Sequence, residues 1–257
     1  MKNLLNACAL AAVILACASA QAAPRVLNNC TTINESGAYV VGRNISATGD
    51  CFVIAADFVN LDLDGFTLTG NGTGAGISQL MPVFGVGGRR GMVVRNGAVT
   101  NFQRGVALEF SIGGRVEGMT VSGNTGTAIR LGDNGAAVRN TVMNNGGNGI
   151  EMALGGLAEG NQVRDNGVGI LMGNGANVTG NTVGHNTGSG IVVFEGGLVS
   201  NNSSRNNTGN GIVADCPSLV IGNTSSLNLG QNLSVIGGAC DPDAVLCCVR
   251  SINNMTL

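Results

Sequence analysis

Apolar residues recur along this chain at intervals of 20 to 22 residues. An isoleucine row contains Ile129, Ile150, Ile170, Ile191, Ile212 and Leu233. A second row contains Val94, Val116, Val138, Ala158, Val178, Val199 and Val220. A third row contains Val99, Val121, Val142, Val163 and Val183, followed by Ser204 and Ser225. Three rows in one common register indicate an internal structural repeat.

Each repeat carries three short extended segments, such as those at 116–118, 119–121 and 128–131. None is long enough for a helix of ordinary length, and no apolar stripe with a 3.6-residue period is present. Residues that tolerate left-handed turns follow the second row, at Asn96, Gly118, Asn140, Gly160, Gly180, Asn201 and Gly222. The pattern predicts an all-β, three-sided parallel β-helix, in which coils pair strand on strand at about 4.8 Å.

Asparagines form two further rows with the same spacing. The first contains Asn124, Asn145, Asn166, Asn186, Asn207 and Asn228. The second contains Asn161, Asn181, Asn202 and Asn223. Stacked side-chain amides can hydrogen-bond along such a column, so these rows are interpreted as structural ladders and not as a binding site.

The repeat resembles that of a known superfamily. The unit 178–192 (VTGNTVGHNTGSGIV) is similar to the repeat of the pectin-lyase-like right-handed β-helices. Segments 37–41 (GAYVV), 49–54 (GDCFVI) and 60–69 (NLDLDGFTLT) resemble the opening of NosD-like exported members. The resemblance implies a right-handed parallel β-helix over roughly 30–236. It does not fix an activity, because the superfamily includes lyases, hydrolases, adhesins and non-catalytic scaffolds.

The sequence divides into four predicted segments. Residues 1–22 are interpreted as a signal peptide, because Lys2 precedes an apolar stretch and a small-x-small site ends at Ala22. Residues 23–58 are predicted as an N-terminal cap, 59–236 as the β-helix and 237–257 as a cysteine-rich C-terminal cap. Residues 78–91 interrupt the repeat and are interpreted as a projecting loop.

The signal indicates export to the periplasm or the extracellular space. A lipoprotein signal with anchoring at Cys17 is the less favoured alternative, since residues 14–17 only loosely resemble a lipobox. No later segment reaches the length of about 20 apolar residues that a membrane-spanning helix needs. We expect a monomer.

The cysteines left after signal removal lie near the two ends of the mature chain: Cys30, Cys51, Cys216, Cys240, Cys247 and Cys248. An even number in an oxidising compartment favours disulfides. Cys30 and Cys51 form the natural local pair, whereas the connectivity of the other four stays open. Zinc binding is disfavoured because no pair has a Cys-x-x-Cys spacing.

Composition narrows the classes of partner. The 257 residues include 43 Gly, no Trp and one His, and 11% are charged, with a formal net charge of −2. This balance gives no electrostatic reason to expect a nucleic acid as partner. Apolar residues make up 44% of the chain, which is enough for an aliphatic core.

One outward row carries the best candidate chemistry. It contains Gly123, Asn144, Asp165, His185 and Asn206. Asp165 would lie beside His185, with Arg164 and Arg205 next to them, and an Asp–His pair can act as a general base. No nucleophile accompanies them, so the four residues are weak catalytic candidates. Another row, with Glu117, Arg139 and Glu159, is interpreted as a solvated charge ladder.

No cofactor or metal site is expected. Calcium needs several converging acidic groups, and the acids of this sequence do not cluster in register. Met152 and Met172 share an inward row and are interpreted as core residues and not as copper ligands.

Two functions are considered. The favoured one is an exported, non-catalytic scaffold that binds an extended glycan or cell-envelope polymer along one flank. Scarcity of aromatic residues, at 3%, argues against it, since aromatic side chains offer large, flat contact surfaces. The alternative is a polysaccharide lyase or glycoside hydrolase, which rests on the resemblance alone. The sequence leaves open whether the protein is an enzyme.

Overall fold

The computed structural model describes residues 23–81, 88–236, 249–252 and 255–256, and within them all regular structure is β-strand. The first ten strands are Arg25–Leu27 (β1), Thr31–Ile33 (β2), Gly37–Val41 (β3), Ile45–Ser46 (β4), Phe52–Ile54 (β5), Val59–Asp62 (β6), Thr67–Thr69 (β7), Ala75–Gln79 (β8), Val93–Thr100 (β9) and Arg104–Ile112 (β10). The next ten are Arg115–Ser122 (β11), Ile129–Asp133 (β12), Ala136–Val138 (β13), Thr141–Met143 (β14), Ile150–Met152 (β15), Leu157–Glu159 (β16), Gln162–Arg164 (β17), Ile170–Met172 (β18), Asn177–Thr179 (β19) and Thr182–Gly184 (β20). The last nine are Ile191–Val193 (β21), Leu198–Ser200 (β22), Ser203–Arg205 (β23), Ile212–Asp215 (β24), Ser218–Ile221 (β25), Thr224–Ser226 (β26), Leu233–Ile236 (β27), Val249–Ile252 (β28) and Met255–Thr256 (β29).

These strands build three parallel walls, as the repeat predicts. Wall A contains β1, β3, β6, β13, β16, β19, β22, β25 and β28, together with the first halves of β9 and β11. Wall B contains β4, β7, β14, β17, β20, β23, β26 and β29, together with the second halves of β9 and β11. Wall C is a ten-stranded sheet of β2, β5, β8, β10, β12, β15, β18, β21, β24 and β27. The fold is therefore a right-handed parallel β-helix of about ten coils.

The predicted apolar rows line the interior. On wall C, Ile129, Ile150, Ile170, Ile191 and Ile212 are partners in register, and each is at most 1% exposed. The valine row of wall B is also paired as predicted and ends in the buried Ser204 and Ser225. Stacking gives every inward side chain a like neighbour above and below, so one continuous core replaces many small ones.

The row on wall A differs from the prediction by one residue in one coil. Ala137, and not Val138, pairs with Val116 and Ala158. Val138 instead pairs with Glu117 on one side and Glu159 on the other, at the position predicted for Arg139. The predicted charge ladder of Glu117, Arg139 and Glu159 is therefore wrong. Arg139 takes the left-handed turn position, with φ of 53°, that the sequence assigned to Asn140.

Asn140 is displaced because it starts the second asparagine ladder. Its backbone N–H and its side-chain amide both donate to the Oδ1 of Asn161, at 2.9 and 3.0 Å. The same pair of bonds continues from Asn161 to Asn181, from Asn181 to Asn202 and from Asn202 to Asn223. The ladder that begins at Asn124 follows the same pattern. Both predicted ladders are confirmed, and buried asparagines satisfy the backbone at the corners of the coils.

The N-terminal coils share this architecture. Residues 23–58, assigned to a cap from sequence, contribute β1 to β5 to the same walls. The predicted disulfide between Cys30 and Cys51 is present, and its cysteines are 21 residues apart, which is one coil. Closing a loop of that length stabilises the folded chain by about 3 kcal/mol on the chain-entropy estimate.

Several sequence predictions fall outside the described residues. They concern the signal peptide, the alternative lipid anchor at Cys17, and three of the C-terminal cysteines, Cys240, Cys247 and Cys248. Cys216 is described and follows β24. No helix in the described part of the chain is both long and apolar enough to cross a membrane.

Candidate functional site

The residues singled out from the sequence lie on the outer side of wall B. Asp165 and His185 occupy equivalent turns after β17 and β20, each with φ of 57°. Asp and His are among the residues that accept this left-handed conformation most readily, which gives a structural reason for their presence. The predicted row is thus confirmed as a column of turns.

The contacts of these side chains differ from a general-base pair. Arg164 Nη1 donates to Asp165 Oδ2 at 2.6 Å, and another Arg164 nitrogen lies 3.1 Å from Met143 Sδ. His185 Nε2 lies 3.4 Å from the amide nitrogen of Asn206. The structure brings Arg164, His185 and Arg205 to one shallow cleft of about 100 Å³, but pairs the Asp165 carboxylate with arginine. A catalytic role for this group stays a prediction.

A larger depression lies on the outer face of wall C. Its main cavity measures about 420 Å³ and is continued by neighbouring cavities of about 260 and 130 Å³. Glu109 lines all three, so we call this feature the Glu109 groove. It extends from Asp50, before β5, to Glu151 on β15. Four steps between coils make it about 19 Å long.

The floor of the groove follows from the outward residues of wall C. In register, these are Val53, Ser78 and Ala107, followed by Arg130 and Glu151. The small side chains of Ser78 and Ala107 keep the floor low between larger neighbours. The main cavity is therefore a product of residue size on two adjacent strands.

A bulge in β10 positions Glu109. Leu108 pairs with Leu131 and Ile112 pairs with Asp133, so β10 contains two more residues than β12 between these two pairs. Ser111 Oγ donates to the Leu108 carbonyl at 2.6 Å and closes the bulge. Bulges re-aim side chains at the edge of a site, and here Glu109 and Phe110 are turned towards the groove.

Charged side chains that line the groove form ion pairs with one another. Arg104 Nη1 lies 3.1 Å from Glu109 Oε1, and Arg130 Nε lies 3.1 Å from Glu151 Oε1. Asp50 Oδ1 accepts the Ala75 N–H at 2.7 Å. The groove thus holds fixed polar groups in a set geometry.

Three buried polar atoms of residues at or beside this groove find no hydrogen-bond partner. They are the amide nitrogen and oxygen of Gln79, whose residue is 7% exposed, and Oε2 of Glu109. Across the described residues only two other side-chain atoms are in this position, on Asn60 and Asn177. Gln79 is in register with the inward Ile54, so its amide lies on the core side of wall C and only the Glu109 oxygen belongs to the groove. Leaving a buried polar group unpaired costs about 1–3 kcal/mol, so a ligand that pairs with Glu109 Oε2 would recover that cost.

The described residues contain no group of three His, Cys, Asp or Glu side chains placed to hold a metal ion. Met152 and Met172 are buried, as their predicted place in the core requires. Sequence reasoning missed Gln79, Arg104 and Glu109. A signal for them exists, because Val106 and its partner Ile129 are 23 residues apart, whereas Ile129 and Ile150 are 21 apart.

The architecture is that of a parallel β-solenoid with an open groove along one wall. Residues 27–183 match the family described as "Right handed beta helix region", and the chain belongs to this family. The structural comparisons agree with the β-helix fold, whereas the pectin-lyase-like superfamily and its NosD-like branch stay predictions. No curated protein matches the sequence.

Solved structures with the same fold have low sequence identity to this chain. The A-module of Azotobacter vinelandii mannuronan C-5 epimerase AlgE6 is 15% identical, with 88% of each chain covered and a TM-score of 0.56. The Dettilon tailspike protein gp208 is 15% identical, with a TM-score of 0.68, over 90% of this chain and 54% of the tailspike. The periplasmic alginate epimerase AlgG is 14% identical, with a TM-score of 0.51, over 88% of this chain and 76% of AlgG. Identities this low establish the fold alone.

Proposed function

We propose that this protein is an extracytoplasmic β-helix scaffold that binds an extended glycan along the Glu109 groove and does not alter it chemically. The unpaired carboxylate oxygen of Glu109, in an elongated groove, carries the proposal. Sugars offer many hydroxyl groups that can pair with such atoms. A groove that crosses several coils suits a chain better than a compact ligand.

Two further observations support it. The Cys30–Cys51 disulfide fits an oxidising compartment outside the cytoplasm. Two of the structural neighbours are named as epimerases of mannuronan or alginate, so polysaccharides are the substrates of proteins with this fold. Exposed Leu80, Met81 and Phe110 at the groove also offer apolar surface for sugar rings, without tryptophan.

The test is a glycan-array screen followed by calorimetric titration with oligomers of increasing length. Affinity should rise with length until the groove of about 19 Å is filled, and then level off. We expect Glu109→Met to weaken binding at least tenfold, because it removes the carboxylate and keeps the approximate length of the side chain. The matched control, Glu159→Met at an exposed position of wall A, should keep the affinity of the parent protein.

Reaction products decide between binding and catalysis. Incubation with each bound polymer should release neither new reducing ends nor unsaturated uronates. Release of either product would overturn the non-catalytic part of the proposal and favour a lyase or hydrolase. Absence of binding to every glycan, or equal losses in both variants, would overturn the groove as the binding site.

A further inference from the structure

We infer that Phe58, at the corner between walls C and A, stacks on a sugar ring of the glycan and extends the Glu109 groove around that corner. This inference rests on the proposed function and adds a ligand-contacting residue to it. It is argued from the backbone conformation of Phe58, from the exposure of its ring and from its position beside the groove.

Phe58 occupies a turn that glycine or asparagine holds in the coils that follow. Each residue of this column has a positive φ, and its N–H donates to a carbonyl one coil further on, as from Phe58 to Arg90 at 2.8 Å. Glycine and asparagine accept this conformation readily, whereas for a bulky side chain it is a costly outlier. Phe58 adopts it with φ of 53°. The later members are Gly91, Gly113, Asn134, Gly155, Gly175 and Gly196.

Burial does not compensate for this backbone conformation. Phe58 is 65% exposed, so its ring adds little to the core. Phe52 and Phe102, which do belong to the core, are completely buried. Residues held in sparsely populated backbone conformations cluster at active sites and ligand contacts. The side chain of Phe58 is therefore best explained by a contact that the free protein lacks.

The ring of Phe58 lies next to the Glu109 groove. It packs against Gly91, where an added Cβ would approach the ring to 2.6 Å. Gly88, three residues before Gly91, lines the groove cavity of about 260 Å³ together with Phe110. Three residues of chain span at most about 10 Å, so one oligosaccharide can contact both phenylalanines.

An exposed phenyl ring suits the apolar face of a pyranose. Where the hydroxyl groups of the sugar point outward, its C–H groups lie on the faces of the ring. The face of an aromatic ring is negatively polarised and attracts such hydrogens. Asp50 and Arg104 in the groove can pair with hydroxyl groups of the neighbouring sugars. The chain has few aromatic residues, but Phe58 and Phe110 are both exposed beside the groove.

Replacing Phe58 with asparagine tests the inference, because Asn134 holds the equivalent turn. Calorimetric titrations use hexamers of β-1,4-linked glucose, β-1,4-linked N-acetylglucosamine, mannuronate and galacturonate. For each hexamer that binds the parent protein, Phe58→Asn should weaken binding about fivefold, as expected for one aromatic contact. The midpoint of thermal unfolding should equal or exceed that of the parent, since the strained turn is relieved.

Leu227→Asn is the matched control for the change of backbone preference. Leu227 is 71% exposed with φ of 56°, but it lines none of the cavities of the groove. Its replacement should also leave the unfolding midpoint equal or higher. The affinity for each hexamer should stay within about twofold of the parent value.

A fluorescent variant reports the contact directly. The chain contains no tryptophan, so the emission of Phe58→Trp arises from position 58 alone. A hexamer that stacks on this ring should move the emission to shorter wavelength. Phe194→Trp is the control, because Phe194 is exposed but lines none of the cavities of the groove, and its emission should not change.

Three outcomes would overturn the inference and leave glycan binding intact. The first is equal affinity of Phe58→Asn and Leu227→Asn, or an unchanged emission of Phe58→Trp on binding. The second is a lower unfolding midpoint of Phe58→Asn, because the ring would then serve stability. The third is sedimentation of the parent as a dimer and of Phe58→Asn as a monomer, which would assign the ring to a second copy. Failure of the parent to bind any hexamer or arrayed glycan would instead overturn the proposed function itself.

Discussion

At the scale of the residue, buried asparagines supply hydrogen bonds to the backbone that water or strand pairing supplies in other parts of a protein. The Oδ1 atom of Asn181 accepts two bonds from Asn161, one from its backbone and one from its side chain, both at 2.9 Å. The amide of Asn181 in turn donates to the Ala158 carbonyl at 2.9 Å. Each asparagine thus satisfies two neighbouring coils at a corner where the backbone cannot pair with itself.

Replacing Asn181 with alanine should therefore be costly. The change leaves two buried donors of Asn161 without an acceptor, so we expect Asn181→Ala to lower the free energy of unfolding by about 2 to 4 kcal/mol. Urea denaturation followed by circular dichroism measures it. Asn174→Ala, at an exposed turn of the same coil, is the matched control and should change stability by less than about 0.5 kcal/mol. Equal effects of the two changes would contradict a special role for the ladder.

The ladders also explain which parts of the fold the sequence predicts well. Asparagines and isoleucines mark their positions because they recur at the same place in successive coils. Ala137 and Val138 are both apolar, so the apolar pattern alone could not decide which of them points inward. The spacing from Asn140 to Asn161 does decide it, and the left-handed turn then falls on Arg139.

At the scale of the element, strand β10 determines where the groove lies. Its bulge depends on Gly132 of the neighbouring strand, because a Cβ at that position would overlap the carbonyl oxygen of Ser111. The position tolerates no side chain while the bulge keeps its conformation. A glycine on one strand thus fixes the direction of Glu109 on the next.

Gly132→Ala should consequently displace the bulge and weaken glycan binding several-fold, with an overpacking cost of about 1–3 kcal/mol in stability. Calorimetric titration and thermal unfolding measure the two effects. Gly49→Ala is the control, because a Cβ there meets open space, and its affinity should stay within twofold of the parent protein. Unchanged affinity in Gly132→Ala would show that the bulge does not orient the binding residues.

The candidate site was harder to predict than the fold for a physical reason. A repeat is recognised by what recurs, and Gln79, Arg104 and Glu109 lie where the repeat is broken. The interrupted stretch at 78–91 and the two additional residues of β10 point to this region. They do not show that Asp50, Arg104 and Glu109 line one cavity, because that depends on how the strands around them are folded together.

At the scale of the whole molecule, each coil contacts mainly the coils before and after it, so the stack is close to one-dimensional. A whole coil can then be removed if the register of all three walls is preserved. Joining Ile170 to Val192 does this, because Ile170 and Ile191 are partners on wall C. The same deletion places Asn161 next to Asn202 and Asn166 next to Asn207 in the ladders.

Deleting 171–191 should give a folded protein with the circular dichroism spectrum of the parent and an intact Glu109 groove. Glycan affinity should be retained, although His185 is lost with the coil. Deleting only 171–181 should prevent folding, since it moves residues of one wall onto another. A loss of binding in the folded 171–191 variant would show that the wall B group around His185 takes part in recognition.

The column of turns after wall B has a practical consequence. Asn101, Asn144, Asp165, His185, Asn206 and Leu227 share nearly the same backbone angle, with φ between 56° and 61°, although they comprise four different residue types. A carboxylate, an imidazole, an amide and an aliphatic group thus occupy equivalent turn positions, which are stacked about 4.8 Å apart. Substitution at these positions, in evolution or by design, can therefore place new functional groups on the surface one coil at a time and leave the β-helix backbone unchanged.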